Sequence, residues 1–140
     1  MALKRDALDA VFSDCVRESF DWRCARCGRE FPDRKGQDAH CSHFVSRKFH
    51  SLRWWPHNAV LLCATCHAVV TDDPDEHSTL MQRVLGSELL AWLRRRKHQL
   101  VRYREADKKA MRAHYRTELE RMKAQRAEGV TGLISFAAYD

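Results

Sequence analysis

The chain has 140 residues, 44% hydrophobic and 31% charged, with a formal net charge of +6. This length allows one modest domain with an appendage and argues against a large enclosed active-site cavity. No apolar run approaches the ~20 residues needed to cross a bilayer, and Met1-Ala2-Leu3-Lys4-Arg5-Asp6 lacks the apolar stretch of a secretory signal. A soluble, cytoplasmic protein with no membrane partner is expected.

From Asp6 to about Glu18, Ala7, Leu8, Ala10, Val11, Cys15 and Val16 recur at helical spacing, and Asp6 is placed to cap the helix. Cys15 falls on the apolar face and reads as a small core residue. Trp22 to Thr71 holds most of the cysteines and histidines, with Pro32, Gly36 and a loop-like stretch from Ser46 to Pro56. Thr79 to about Lys97 is predicted as one helix with Leu80, Val84, Leu85, Leu89, Leu90 and Leu93 on one side. A further helix over about Glu105 to Arg126 has a thinner stripe of Ala106, Ala110, Ala113, Tyr115, Leu119 and Met122. That stripe is the one surface offered for pairing with a second copy as a homodimer. Gly129 and Gly132 end this helix, and Leu133-Ile134-Ser135-Phe136 forms an apolar tail without evident use. The expected organisation is therefore a module over 1–78, a basic helical extension over 79–128 and a tail over 129–140.

Two C-x-x-C pairs, Cys24-Ala-Arg-Cys27 and Cys63-Ala-Thr-Cys66, bracket the histidine-rich segment. Four thiolates on two tight turns suit one tetrahedral structural Zn²⁺, with ligands at about 2.3 Å. Three disulfides are the alternative reading of six cysteines, but paired C-x-x-C and the absence of a secretory signal favour metal in a reducing compartment.

Charge is distributed unevenly. Between Arg94 and Arg126 thirteen Lys and Arg face only Glu105, Asp107, Glu118 and Glu120, so this stretch carries +9 and the rest of the chain is net acidic. A polyanion is the natural partner, because neutralising phosphates releases condensed counterions and drives sequence-blind binding. Arg94, Arg95 and Arg96 open the stretch and are candidate DNA contacts. A solvated helix face is the bland alternative, but the bias is too one-sided for ordinary i, i+4 pairing.

Within the module, Asn58 follows His43 by fifteen positions and His67 follows Asn58 by nine. This His, Asn, His order between C-x-x-C pairs resembles the HNH branch of the ββα-metal nucleases. The resemblance implies an α+β fold: a zinc-stapled core in which a two-stranded hairpin with a long loop packs on a short helix, flanked here by the N-terminal helix and a mostly helical, basic C-terminal extension. It implies that His43 is the general base, since an imidazole titrates near working pH. Asn58 would hold the loop, and His67 would bind a catalytic Mg²⁺ or Mn²⁺. Many of these nucleases place a second ligand directly before the base, where this chain has Ser42. His40 is ranked first as its replacement, with Asp38, Thr71, Asp72 and Asp73 as alternatives. A zinc ribbon whose histidines are surface groups, serving as a non-catalytic DNA-binding adaptor, is the rival reading.

Further motifs narrow the resemblance. Ser42-His43-Phe44-Val45-Ser46-Arg47, then Leu52-Arg53-Trp54 before Asn58, is similar to a segment of the phage NinG/Rap recombination nucleases. Leu8-Asp9-Ala10-Val11-Phe12-Ser13, Leu85-Gly86-Ser87-Glu88 and Ala113-His114-Tyr115-Arg116 extend it over about Asp6 to Arg126. The best-known branch of that family has Asn where this chain has His67. The resemblance implies action on branched DNA such as Holliday junctions, displacement loops or forks. It also implies hydrolysis leaving 5′-phosphate and 3′-hydroxyl ends. In the loop, Arg47 and Arg53 are candidate two-point phosphate clamps, with Lys48 and His50 as weaker contacts. Trp54 is expected to pack inside more readily than to stack on an unpaired base.

Overall fold

The computed structural model describes residues 3–140. The chain runs through α1 (Ala7–Ser19), β1 (Ala39–His43), α2 (His50–Arg53), a 3₁₀ turn at Pro56–Asn58, β2 (Ala59–Cys63), α3 (Ala64–Asp72), α4 (Pro74–Leu85), α5 (Ser87–Arg96) and α6 (Glu105–Ala127).

Asp6 opens α1 with a reciprocal cap: its carboxylate accepts from the Asp9 N–H, and its own N–H donates to the Asp9 carboxylate, both at 2.9 Å. The helix then buries Leu8, Phe12, Cys15 and Val16 at i, i+4, i+7 and i+8. Met111, Tyr115 and Met122 of α6 pack into the same cluster. Ile134 and Phe136 join it, so the apolar tail covers the α1–α6 seam. The Phe136 ring stands edge-on to Phe12 and Tyr115, each at 5.9 Å. Ser19 fastens the tail twice: its hydroxyl donates to the Ile134 carbonyl at 2.6 Å and its carbonyl accepts the Ile134 N–H at 2.9 Å.

β1 and β2 form one antiparallel hairpin, with Ala39 opposite Cys63 and His43 opposite Ala59. All five residues of β2 are buried, because α1 and α6 lie on one side of the hairpin while α3, α4 and the cysteine turns lie on the other. Such a strand reads as an unbroken apolar run rather than an alternation.

The helix expected over Thr79 to Lys97 is two helices. Gly86 breaks it with φ +83°, a conformation that costs other residues their Cβ freedom. α4 also starts earlier than its apolar periodicity suggests. Asp73 accepts from the N–H groups of Asp75 and Glu76 at 3.0 and 3.3 Å, and Pro74 occupies the first helical position. This Asp-Pro signature needs no apolar residue, and a reading of hydrophobic spacing passes over it.

The seam generates a stability prediction. Phe136→Ala is expected to cost about 3 kcal/mol, seen as a lower urea midpoint with an unchanged slope. A loss below about 1 kcal/mol would mean that the tail only rests on the core.

Candidate active site

Cys24 and Cys27 lie on the turn ahead of β1, which Gly28 reverses at φ +79°. Cys63 ends β2, and Cys66 falls in the first turn of α3. The Ala25 N–H donates to the Leu61 carbonyl at 2.8 Å, which seats the first pair beside the second, and their four sulfurs lie within 4.8 Å of one another. The Cys27 and Cys63 sulfurs are 3.8 Å apart, and the edge of a tetrahedron with ligands at 2.3 Å is about 3.8 Å. All six cysteines are unbridged. Burial opposes ionisation of Cys24, but the backbone N–H groups of Cys27, Cys63 and Arg26 aimed at its sulfur bring the thiol down to about 7. The Arg26 guanidinium lies 3.5 Å from the Cys66 sulfur and offsets the charge of a thiolate cluster. The donor set fits a tetrathiolate zinc.

At the other end of the hairpin, His43 closes β1 with Nε2 at 3.0 Å from the Arg53 carbonyl oxygen. A carbonyl only accepts, so this nitrogen holds the proton and Nδ1 keeps its lone pair. Burial pushes the imidazole down to about 4, against the Arg53 hydrogen bond, which favours the charged ring.

Asn58 is fully buried. Its amide oxygen accepts the Val45 N–H at 2.8 Å, and its nitrogen donates to the Val45 and Leu52 carbonyls, each at 3.0 Å. The Phe44 N–H donates to the Asn58 carbonyl at 2.9 Å. One side chain therefore ties both ends of the interstrand loop, next to the carbonyl that meets His43.

His40 on β1 and His67 on α3 approach with their Nδ1 atoms 2.9 Å apart and their rings steeply inclined. Ligands at about 2.1 Å in adjacent octahedral positions are separated by about 3.0 Å, so the pair fits one divalent ion. Ser42, directly before His43, has its hydroxyl buried without a hydrogen-bond partner, and strand alternation puts it on the same face as His40. Among the described residues no carboxylate, thiol or further imidazole completes a three-ligand group with the two histidines. Asp38 faces Arg29 at 3.9 Å, Asp73 caps α4, Asp72 is exposed, and the Thr71 hydroxyl donates to the His67 carbonyl at 2.7 Å. His43 and His67 line one cleft of about 370 Å³ together with Arg5, Cys41 and Arg47.

The proposed phosphate contacts divide. Arg47 borders the cleft, with a loose 4.0 Å approach to Asp9. Arg53 does not reach it, which corrects the expectation of a phosphate clamp. It is buried, and its guanidinium grips Asp9 through two nitrogens and donates to the Lys4 carbonyl at 2.9 Å. Desolvating an arginine this far is tolerable only with such a partner. Trp54 is buried as expected, its indole N–H on Asp9 at 2.9 Å. Lys48 and His50 are exposed, as are Arg94 and Arg95 on α5. Arg96 is drawn inward, donating to the Ser51 carbonyl at 3.0 Å with its guanidinium over Trp55 at 4.2 Å. Trp55 and Trp92 border a larger apolar recess of about 700 Å³ with Arg95 and Glu88. Sequence reasoning missed Arg5, because an arginine just ahead of a helix cap has no pattern that places it at a cleft.

Residues 24–73 match the HNH endonuclease family model. The match covers little more than a third of the chain and takes in both cysteine pairs, His43, Asn58 and His67. No curated protein and no solved structure matches the chain.

Chelation of the zinc, or Cys66→Ser, is expected to unfold the hairpin region, since structural zinc contributes about 10 kcal/mol or more of apparent binding energy. Loss of zinc by elemental analysis with a retained cooperative melt would contradict the staple.

Proposed function

We propose that this chain is a metal-dependent, structure-selective DNA endonuclease acting on branched recombination intermediates: Holliday junctions, displacement loops or forks. The observation that carries the reading is the His43–Arg53 carbonyl hydrogen bond beside the loop that Asn58 ties, with His43 sharing one cleft with His67, whose Nδ1 meets that of His40. In this mechanism Nδ1 of His43 takes a proton from water as the water oxygen bonds to phosphorus. The bond from phosphorus to the 3′ oxygen breaks, and that oxygen takes a proton from solvent water, leaving 5′-phosphate and 3′-hydroxyl ends. Asn58 keeps the loop, and hence the base, in register. His67 and His40 would hold the divalent ion, Mg²⁺ or Mn²⁺, which supplies positive charge to the scissile phosphate and the leaving oxygen. Arg5 and Arg47 attract the phosphate to the cleft, and Arg94 and Arg95 extend the basic surface along the DNA backbone without reading sequence.

The preference for branched DNA is supported by the likeness to the NinG/Rap segment and by the +9 stretch, which suits several duplex arms. On this reading the protein works in the reducing cytoplasm of a cell carrying a phage or prophage. Two incisions in one junction would require two copies.

The decisive experiment incubates the zinc-loaded protein with labelled four-way junction, fork, displacement loop and plain duplex in Mg²⁺ or Mn²⁺. Wild type is expected to cut the branched substrates. His43→Ala is expected to lose at least about 100-fold in single-turnover rate while binding with unchanged affinity. Binding without cleavage by wild type would leave the zinc-ribbon adaptor as the correct reading.

A pH profile tests the base separately. A folded value near 4 keeps the ring neutral, and thus able to accept a proton, above that pH. At saturating divalent ion the acid limb of the cleavage rate should lie well below the ordinary imidazole range of about 6.5. A limb at about 6.5 would indicate a solvated base and a different positioning of His43.

A further inference from the structure

The Asp9 carboxylate is buried on the inner face of α1, 44 positions before Arg53 in sequence. All its acceptor positions are used. One oxygen takes the Arg53 Nε–H at 3.0 Å and the Trp54 indole N–H at 2.9 Å. The other takes an Arg53 Nη2–H and the Asp6 backbone N–H at 2.9 Å. Two consecutive side chains of the loop are therefore held by a single carboxylate on a different element. The next carbonyl is fixed as well, because the Tyr115 hydroxyl of α6 donates to the Trp54 carbonyl at 2.5 Å. With both side chains and the following peptide held, the Arg53 carbonyl is left aimed at His43 Nε2 at 3.0 Å.

We infer that Asp9 is a positioning residue for the proposed base: through Arg53 and Trp54 it orients the Arg53 carbonyl that selects the Nε2–H tautomer of His43. The inference rests on His43 serving as the base, but its structural part stands apart from catalysis. A loop peptide free to rotate would turn its carbonyl away, and His43 would then lose the one hydrogen bond that, among the described residues, distinguishes its two nitrogens. The proton could move to Nδ1 and remove the lone pair needed for water activation. Asn58 alone does not prevent this, because it holds the Leu52 carbonyl, one peptide earlier. The alternative is that Asp9 only stabilises the fold by neutralising a buried arginine.

The test uses the full zinc-loaded chain. The ¹⁵N chemical shifts of the His43 ring report its tautomer directly, and wild type is expected to show a single Nε2–H form. Asp9→Asn keeps the size and one acceptor oxygen but removes the charge that grips Arg53. It is expected to give a mixture of tautomers and a fall in single-turnover rate of about 10- to 100-fold with unchanged KM for DNA. Asp9→Glu, which restores the charge, should recover part of the rate and of the Nε2–H form. A wild type with the proton on Nδ1 overturns the proposal even if the variants fail to fold. So does a folded Asp9→Asn protein with the wild-type tautomer and rate. Wild type that binds but does not cut DNA would overturn the nuclease reading alone, and the ring shifts would still judge the role of Asp9.

Discussion

A two-stranded hairpin of five residues per strand does not hold itself together in water, and here its two ends lie beside the cysteine cluster and the candidate active site. At the Ala39–Cys63 end the four sulfurs converge. At the His43–Ala59 end the buried amide of Asn58 spans the neck of the loop with three hydrogen bonds. Neither closure substitutes for the other. A metal at the sulfurs would tie the turn at residues 24–27 to the end of β2 and the start of α3, while the amide fixes where the loop peptides point. The position of His43 against the Arg53 carbonyl needs both.

The packing on the two sides of the hairpin differs in kind. Toward α3 and α4 it is aliphatic, with Val60, Leu62, Val70, Leu80 and Met81 buried beside the cysteines. Toward α1 and α6 it mixes aromatic rings with a polar network around Asp9 that water does not reach. A buried Asp–Arg pair costs several kcal/mol of desolvation per ion and is commonly no more stabilising than apolar residues of the same volume. Its use here is therefore geometric. The four hydrogen bonds accepted by Asp9 remove the penalty of an unsatisfied carboxylate and leave few arrangements open to the loop.

Much of this was legible in the sequence where the signal is local or periodic. The cap at Asp6, the long helix from Glu105, the paired thiols and the spacing of His43, Asn58 and His67 each depend on short-range pattern. Arg53 was misplaced for the opposite reason. An arginine in a loop reads as exposed, and only a partner 44 residues away makes its burial tolerable. Asp9 did carry a hint, since it lies between Leu8 and Phe12 on the inward side of α1, but an acidic residue in the first turn of a helix is ordinary and by its spacing alone points to no buried partner. Burial of Ile134 and Phe136 was likewise hidden, because four apolar residues after a helix do not reveal which seam they close. The break at Gly86 was visible as a glycine but was outweighed by the continuous leucine periodicity around it.

The basic surface and the candidate active site are not independent parts. α5 ends against the loop that meets His43: Arg96 donates to the Ser51 carbonyl at 3.0 Å, and the Ser51 hydroxyl donates to the Lys97 carbonyl at 3.3 Å. Val45, Leu52 and Leu93 form a small apolar cluster beneath this contact. Arg94 and Arg95 remain outside it, with Arg94 over the Phe44 ring at 6.0 Å, next to His43 in sequence. A phosphate backbone drawn to Arg94 and Arg95 would thus press on the helix end that braces residues 50–53. The two exposed arginines face solvent from this position, while the inward-turned Arg96 ties the end of α5 to the loop. The division within one Arg-Arg-Arg run follows from helix geometry, which turns each successive side chain by about 100°, so three adjacent residues cannot share one face. The same run therefore places two charged side chains outside and a strut inside, and loss of the strut would loosen the segment that carries the Arg53 carbonyl.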